Sequence, residues 1–204
     1  MTTIDNISEE IIAKAENLFL KLGIRSVSMD DLCREMGISK KTLYQYFENK
    51  DALVKRVIKT HVEREQAEIN QFVNNSKDAL DELNKIGLTV IRNIEDVSPS
   101  TLYDLQKYYR TAFEILMKEQ NEFVYTCFFQ NIKRGISEGL FRSDINPEIV
   151  ARIFSSSSFF LVDALSDPSI IFTRKQMIKE LYNYHVRGIA TPKGVKLWEK
   201  YTRD

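Results

Sequence analysis

The sequence predicts an all-α protein, and three observations lead to that fold class. Apolar residues recur at helical spacing along most of the 204-residue chain, and no segment shows strand-like alternation bounded by turn signals. The seven glycines and four prolines fall where helices should begin or end. Hydrophobic residues make up 43% of the chain, which is enough apolar surface to build a core and excludes disorder as the main state.

The first two helices are predicted from their caps. The first runs from about residue 9 to residue 22, because Ser8 is a suitable N-cap and Gly23 is placed to end the helix in the left-handed conformation. The second is short. It follows Ser28, where an acidic residue three positions later can complete a capping box, and it ends at Gly37.

A third short helix follows Ser39 and runs through Phe47, so that only a tight turn separates it from the second. A fourth, long helix starts at Asn49 and reaches about residue 74. Beyond it the periodicity is coarser, and helices are predicted over residues 77–96, 99–118, 119–140, 146–166 and 174–190. We therefore expect a small N-terminal unit that continues through a helix into a larger helical body.

The composition excludes several classes of protein. No stretch approaches the roughly 18 unbroken apolar residues of a membrane helix, and the N-terminal residues MTTIDNISEE do not resemble a secretory signal. The two cysteines and two histidines are scattered, so they form neither a disulfide framework nor a metal-ligand pattern. We expect a cytoplasmic protein with no membrane contact, no metal and no cofactor.

The charge is unevenly distributed although the net charge is zero. Lysines and arginines number 29, as do aspartates and glutamates, but residues 21–60 contain nine cations and only five anions. A basic segment on an otherwise acidic chain indicates a local contact with a polyanion.

Residues 28–47 have the layout of a helix-turn-helix, in which the second helix enters the major groove of DNA. Lys40, Lys41 and Lys50 directly follow helix caps, where the helix dipole disfavours a cation by about 0.3–1 kcal/mol. A phosphate group would reverse that preference, because helix N-termini and lysines both attract it. The alternative interpretation is that exposed lysines tolerate the small penalty and bind nothing.

Four polar side chains of the third helix are further candidates for DNA contacts. The hydroxyl of Tyr44 or Tyr46 can donate to a phosphate, although a half-buried tyrosine with a solvated hydroxyl is also common. Thr42 and Gln45 could reach base edges, and glutamine suits adenine.

The segment G-I-R-S-V-S-M-D-D-L-C-R-E-M-G-I-S-K-K-T-L-Y-Q-Y-F-E-N-K-D-A-L closely resembles the DNA-binding domain of TetR-type transcriptional regulators. The match covers roughly residues 6–60. The features that carry it are Gly23, the helix start at Ser28, Leu32, the Gly37-Ile38-Ser39 turn, Thr42-Leu43-Tyr44, Phe47, Lys50 and Leu53. The resemblance implies a helix-turn-helix DNA-binding domain over residues 1–48 with its motif at 28–47, a connecting helix over 49–75, and a ligand-binding and dimerisation domain over 76–204.

The resemblance also implies a function. A homodimer would bind a palindromic operator, most often as a repressor, and an unknown small-molecule effector in the C-terminal body would release it from double-stranded DNA. By position, the residues that match contacts to the DNA backbone are Ser28, Tyr46 and Lys50. Those that match the groove or its rim are Lys40, Lys41, Thr42, Tyr44 and Gln45, and Arg25 is a further candidate.

The C-terminal body is rich in aromatic residues, which can line an apolar cavity between helices. The candidate pocket residues are Phe113, Phe123, Phe128, Phe129, Phe159 and Phe160. The alternative for each is a place in an ordinary core. The resemblance implies that the last two long helices pair with their symmetry mates in a four-helix bundle, although the sequence alone supports an intramolecular contact equally well.

An enzyme and a protein-interaction module are the two alternatives to a DNA-binding regulator. No H-E-x-x-H, G-x-S-x-G, C-x-x-C or phosphate-loop pattern occurs, so we expect that the protein is not an enzyme and has no catalytic residues. A helical protein-interaction module that keeps the scaffold without using DNA is the second alternative. A duplex-selection experiment that enriches no palindrome would favour that module.

Overall fold

The architecture is all-α, as predicted. The computed structural model describes residues 3–95, 97–164 and 171–203, with side chains described over 6–95, 97–157 and 171–203. In these ranges the chain forms ten helices and no named strand. Their bounds are α1 Thr3–Leu22, α2 Met29–Met36, α3 Lys40–Tyr46, α4 Lys50–Asn75, α5 Ala79–Glu95, α6 Pro99–Tyr108, α7 Arg110–Ser137, α8 Pro147–Ala164, α9 Arg174–Ile189 and α10 Pro192–Tyr201. None of the described helices is long and apolar enough to cross a membrane.

The described residues divide into two compact units. The N-terminal unit contains the residues up to Glu65 together with those from Val97 to Glu119. The C-terminal unit contains residues 66–95 and those from Gln120 onward. Helices α4 and α7 therefore each contribute to both units, and α6 belongs to the N-terminal one.

The predicted helix boundaries are wrong in three places. Helix α1 begins at Thr3 and not at residue 9, so Ser8 lies inside the helix and is not its N-cap. The expected break between residues 118 and 119 lies instead at Tyr109, where the backbone leaves the helical region at the end of α6. Neither glycine nor proline marks this position, so the break is set by packing of Tyr109 against the N-terminal core. The tenth helix is missing from the sequence-based prediction, although Thr191 caps it and Pro192 occupies its first turn.

The N-terminal unit has its own core, to which α1, α2, α3, α4, α6 and α7 contribute. Its least exposed members include Ile11, Ala15, Leu32, Leu43, Leu53 and Val54, each with at most 1% of its surface exposed. Burying a side chain of this kind stabilises a fold by about 1.5–3 kcal/mol. A single shared core therefore fixes the short helices α2 and α3 against the longer ones.

The start of α6 is hydrogen-bonded to the last carbonyls of α1. The backbone N–H of Ser98 donates to the carbonyl oxygen of Leu20 at 2.8 Å, and the Thr101 hydroxyl donates to that of Phe19 at 2.7 Å. The carbonyls of the last turn of α1 have no partner within the helix. Ser98 satisfies that of Leu20, whereas that of Phe19 also accepts the backbone N–H of Gly23 at 3.0 Å. The contact fixes α6 beside the loop that leads into α2.

Gly23 ends α1 in the left-handed conformation, as the sequence predicts, with φ of 85°. It also lies close to α6, because a Cβ atom at this position would approach the hydroxyl of Ser100 to 2.5 Å. Two independent constraints, backbone conformation and space, therefore require glycine here.

A buried carboxylate joins α1 to α4. Glu16 is 5% exposed, and its oxygens accept hydrogen bonds from Arg64 and, at 2.6 Å, pair with His61 Nδ1. Burial alone would raise the pKa of Glu16, but the hydrogen bonds from His61 and Arg64 lower it to about 2. The carboxylate therefore stays charged and holds the two helices together at all ordinary pH values.

An aromatic cluster lies in the core of the C-terminal unit. The rings of Phe128 and Phe154 stack with centroids 3.6 Å apart, and Tyr182 meets both rings edge-on. His185 is 8% exposed among them, and its Nε2 has no hydrogen-bond partner among the residues that the structure describes. Burial lowers the pKa of His185 to about 4, so the ring is uncharged near neutral pH.

Candidate nucleic-acid interface

Helix α2 begins and ends with the local signals expected from the sequence. The backbone N–H of Asp31 donates to Ser28 Oγ at 3.0 Å, and the Ser28 N–H donates to Asp31 Oδ2 at 2.9 Å, which completes a capping box. Gly37 ends the helix with φ of 65°, in the left-handed conformation. These two ends fix the length of α2 and the direction of the turn into α3.

Helix α3 is capped by Ser39, whose hydroxyl accepts the backbone N–H of Thr42 at 3.0 Å. The helix has only seven residues, too few to be stable in water without packing. Leu43 is fully buried in the N-terminal core, and Phe47, directly after α3, is buried beside it. One face of α3 is therefore fixed inward, and the opposite face is turned to solvent.

The solvent-facing side of α3 carries Lys41, Tyr44 and Gln45. All three side chains are exposed, and they lie at spacings of three and four residues, which places them on one face of a helix. A lysine, a phenol and an amide side by side offer donors for phosphates and both donor and acceptor groups for base edges. We call this set the α3 face.

Lys40, Lys41 and Lys50, the three lysines that directly follow helix caps, lie in different environments. Lys40 forms an ion pair with Asp30 at 2.7 Å, and the hydrogen bond that its ammonium donates to this carboxylate raises the pKa of Lys40. Lys41 has no carboxylate within salt-bridge distance in the part of the chain that the structure describes. Of the first two residues of α3, Lys41 is therefore without an anionic partner among the described residues, whereas Lys40 has one.

Lys50 is half-buried and has a structural partner. Its Nζ donates to the carbonyl oxygen of Ile24 at 2.6 Å and lies 5.9 Å from the ring centroid of Phe19 and 6.0 Å from that of Tyr109. Burial lowers the pKa of Lys50. Replacing Lys50 would therefore disturb the loop between α1 and α2 as well as any phosphate contact, so Lys50→Ala alone does not test the phosphate assignment.

The hydroxyl groups predicted to reach DNA are partly used within the protein. Ser28 Oγ serves in the capping box and donates to Asp31 Oδ2 at 2.5 Å, and Thr42 Oγ1 lies 2.8 Å from Ser39 Oγ. Tyr46 is only partly exposed, because its ring packs against the N-terminal core. Of the two tyrosines predicted to contact DNA, Tyr44 is therefore the more exposed.

Arg25 lies in the loop between α1 and α2, beside residues of α6 that the sequence does not single out. Its backbone N–H donates to Asp104 Oδ2 at 2.8 Å, and its guanidinium carbon lies 4.2 Å from the ring centroid of Tyr108. Lys107 and Tyr103 adjoin the same ring. No local signal indicates this grouping, because about 80 residues of chain separate Arg25 from α6.

The predicted pocket residues are distributed as follows. Phe128 is buried in the aromatic cluster, Phe123 and Phe129 are partly buried against the C-terminal core, and Phe113 packs against the N-terminal core. The side chains of Phe159 and Phe160 lie outside the described residues. Among the described side chains, no group of three or more histidine, cysteine, aspartate or glutamate residues could hold a metal ion.

Fold and site together define the class of protein: an all-helical chain whose N-terminal unit carries a helix-turn-helix with an exposed, donor-rich second helix. Comparison with known proteins agrees. Residues 11–57 match the model of the bacterial regulatory proteins of the tetR family. This match confirms the resemblance seen in the sequence for the N-terminal unit, where the chain is similar to TetR-type DNA-binding transcriptional regulators; its relatives are named as transcriptional regulators and not as enzymes.

Individual relatives support the same conclusion. The chain is 29% identical over 141 residues to the uncharacterized HTH-type transcriptional regulator YvaF of Bacillus subtilis, covering 65% of this chain and 74% of that protein. It is 22% identical to the HTH-type transcriptional repressor KstR2 of Rhodococcus jostii, covering 90% and 91%. A solved structure of a transcriptional regulator from Saccharomonospora viridis in complex with choline matches the fold with a TM-score of 0.72 at 17% identity, covering 92% and 99%.

The Lys40–Asp30 ion pair predicts that Asp30→Asn strengthens DNA binding. The substitution frees Lys40 for a phosphate and removes a negative charge next to the interface. Exposed ion pairs contribute little to stability, so the gain in affinity from this term is about fivefold at most. Fluorescence anisotropy with a labelled duplex measures it.

The matched control is Asp51→Asn, which releases Lys55 from a similar pair at 2.7 Å within α4. If Asp30→Asn leaves the affinity unchanged or weakens it, Lys40 does not contact DNA.

Proposed function

We propose that a dimer of this protein binds a palindromic operator and represses transcription from it, with α3 of each protomer in the major groove. The observation that carries the proposal is the α3 face, held outward because Leu43 and Phe47 are held inward. The name of the Rhodococcus jostii relative, a repressor, supports repression as the mode. Such a regulator works where the chromosome lies, so we place it in the cytoplasm.

Within this proposal the residues divide by role. Gln45 reads a base edge, since its amide can pair with adenine. Lys41 and, after release from Asp30, Lys40 contact phosphates, and the Tyr44 hydroxyl donates to the groove rim or a phosphate. We further propose that Thr42 contacts the major groove. The residues proposed to contact the sugar-phosphate backbone of DNA are Arg25, Ser28, Tyr46 and Lys50.

The proposed dimer uses the exposed faces of α8 and α9. Ile149 and Ile153, four residues apart on α8, are 57% and 61% exposed, and Tyr184 on α9 is 78% exposed. The two helices contact each other within the C-terminal unit, and the proposed interface combines their exposed sides. Large exposed apolar residues in such a set mark a protein interface, and a two-fold axis would pair this face with its own copy.

The proposed effector site lies in the C-terminal unit. As domains we assign residues 1–48 to DNA binding, 49–75 to the connecting helix and 76–204 to ligand binding and dimerisation; within the last of these, residues 97–119 pack with the N-terminal unit. The aromatic cluster supplies apolar surface, and His185 Nε2 is a polar atom without a partner in the described part of the chain. An apolar molecule with one uncharged polar group suits this combination, because the imidazole is neutral. The choline complex of a similarly folded regulator supports a small-molecule ligand.

The operator is tested by selecting duplexes from a randomised pool and sequencing the bound fraction. The wild-type protein should enrich an inverted repeat whose half-sites lie about one helical turn or a multiple apart. Gln45→Ala should relax the preference at one base pair in each half-site by about 1–3 kcal/mol.

Gln71→Ala, an exposed glutamine of α4, is the matched control and should leave the preference unchanged. A pool from which no palindrome emerges would contradict the proposed function and favour a protein-interaction module. Enrichment that is the same with and without Gln45 would remove this residue as the base reader.

The dimer is tested by Ile153→Glu. At a two-fold symmetric interface, the introduced glutamate would be buried close to the same glutamate of the other protomer, which is unfavourable. The variant should therefore sediment as a 23.8 kDa monomer, whereas the wild type should have twice that mass. Leu88→Glu, at a residue of α5 that is 54% exposed, is the control and should remain dimeric. A dimer that persists in Ile153→Glu would place the interface elsewhere.

The effector site is tested through Trp198, the one tryptophan of the chain. It is buried in the C-terminal core and its Nε1 donates to Asn183 Oδ1 of α9 at 3.3 Å, so its fluorescence reports on this unit. Choline and a panel of apolar alcohols and ketones serve as probes. A probe that shifts the emission should also weaken operator binding, and His185→Phe should abolish both effects. Probes that bind without changing operator affinity would contradict effector release.

A further inference from the structure

Four exposed side chains form a patch beside the helix-turn-helix. Arg25 comes from the loop between α1 and α2, and Tyr103, Lys107 and Tyr108 come from the last turns of α6. The guanidinium carbon of Arg25 lies 4.2 Å from the ring centroid of Tyr108, and Lys107 Nζ lies 5.5 Å from the same centroid. We call these four residues the Arg25–Lys107 patch.

The patch holds two cations against one ring without an anion between them. Neither Arg25 nor Lys107 has a carboxylate within salt-bridge distance of its side chain in the described part of the chain. The adjacent carboxylate, Asp104, is 6% exposed and accepts the backbone N–H of Arg25. Many other cations of this unit are paired, among them Lys14, Arg34, Lys40, Lys55 and Arg110.

The aromatic residues fix the direction of the cations. Lys107 Nζ donates to Tyr103 Oη at 2.6 Å and lies 5.1 Å from the Tyr103 ring centroid. The rings of Tyr103 and Tyr108 meet edge to face with centroids 6.3 Å apart. The Tyr103 hydroxyl accepts from Lys107 and keeps its own O–H to donate. Two fixed cations and a hydroxyl donor match the groups that bind a phosphate.

The patch is continuous with residues that the proposed function already places at DNA. Arg25 directly follows Ile24, whose carbonyl accepts Lys50 Nζ at the start of α4. It precedes by three residues Ser28, the N-cap of α2. Ser98 and Thr101 hold the start of α6 against α1, and Asp104, which accepts the Arg25 backbone N–H, joins its later turns to this loop.

We propose that the Arg25–Lys107 patch contacts the phosphate backbone of the operator, so that α6 extends the DNA-binding surface beyond the helix-turn-helix. The inference rests on the proposed function. The partner is the sugar-phosphate backbone of duplex DNA, with no base read by this patch.

The test measures operator affinity against salt concentration for Lys107→Gln. Each phosphate contact contributes about −0.9 to the slope of log affinity against log salt, so loss of one contact in each protomer of a dimer should make the slope shallower by about 1.8. Base preference in the selected pool should not change, because a backbone contact carries no sequence information. Lys107→Arg should restore the wild-type slope.

Lys118→Gln, at an exposed lysine of α7 in the same unit, is the matched control and should keep the wild-type slope. If the wild type selects a palindrome but Lys107→Gln has an unchanged slope, the proposed function stands and the patch is only a solvated surface. An equal change of slope in the Lys118 variant would also overturn the inference, because the effect would then be one of net charge. If the wild type binds no duplex, both proposals fall.

Discussion

The burial of one face of α3 is the constraint on which the DNA interface depends. A helix of seven residues is not stable in water by itself, so tertiary packing decides both its existence and its rotation. Leu43 is fully buried and Phe47 nearly so, and these two contacts leave a single face for Lys41, Tyr44 and Gln45. A rotation of α3 by one residue would expose Leu43 to water at a cost of about 1.5–3 kcal/mol and remove Gln45 from the surface.

The cations around this face differ in what binding DNA would cost. Lys41 has no competing carboxylate among the described residues, so a phosphate adds an interaction without removing one. Lys40 must exchange Asp30 for a phosphate, a small loss because exposed ion pairs contribute little. Lys50 is already partly desolvated and bonded to Ile24, so its charge can act on DNA only while it also supports the loop before α2.

Local signals account for the part of the site that the sequence predicts. The capping box between Ser28 and Asp31 and the left-handed Gly37 each depend on residues within three positions, so the amino-acid sequence alone is enough to predict the helix-turn-helix. The Lys40–Asp30 pair, the Lys50–Ile24 hydrogen bond and the Arg25–Tyr108 contact span 10, 26 and 83 positions, and no periodicity encodes them. The break at Tyr109 is unpredictable for the same reason, because the core and not a glycine or proline sets it. Proline is common both just past the end of a helix and in the first turn of one. The sequence alone therefore does not show that Pro192 begins α10.

The course of the chain gives the proposed effector a route to the DNA-binding surface. Helix α5 ends in the C-terminal unit, the chain then enters the N-terminal unit as α6, and it returns through α7. Within the N-terminal unit α6 is bonded to α1 through Ser98 and Thr101, and to the loop before α2 through Asp104. In the proposed function, a ligand that shifts α5 or α7 would act on α6 at least through the chain that connects these helices. Such a shift can alter DNA affinity only if the ligand has different affinities for two arrangements of this element.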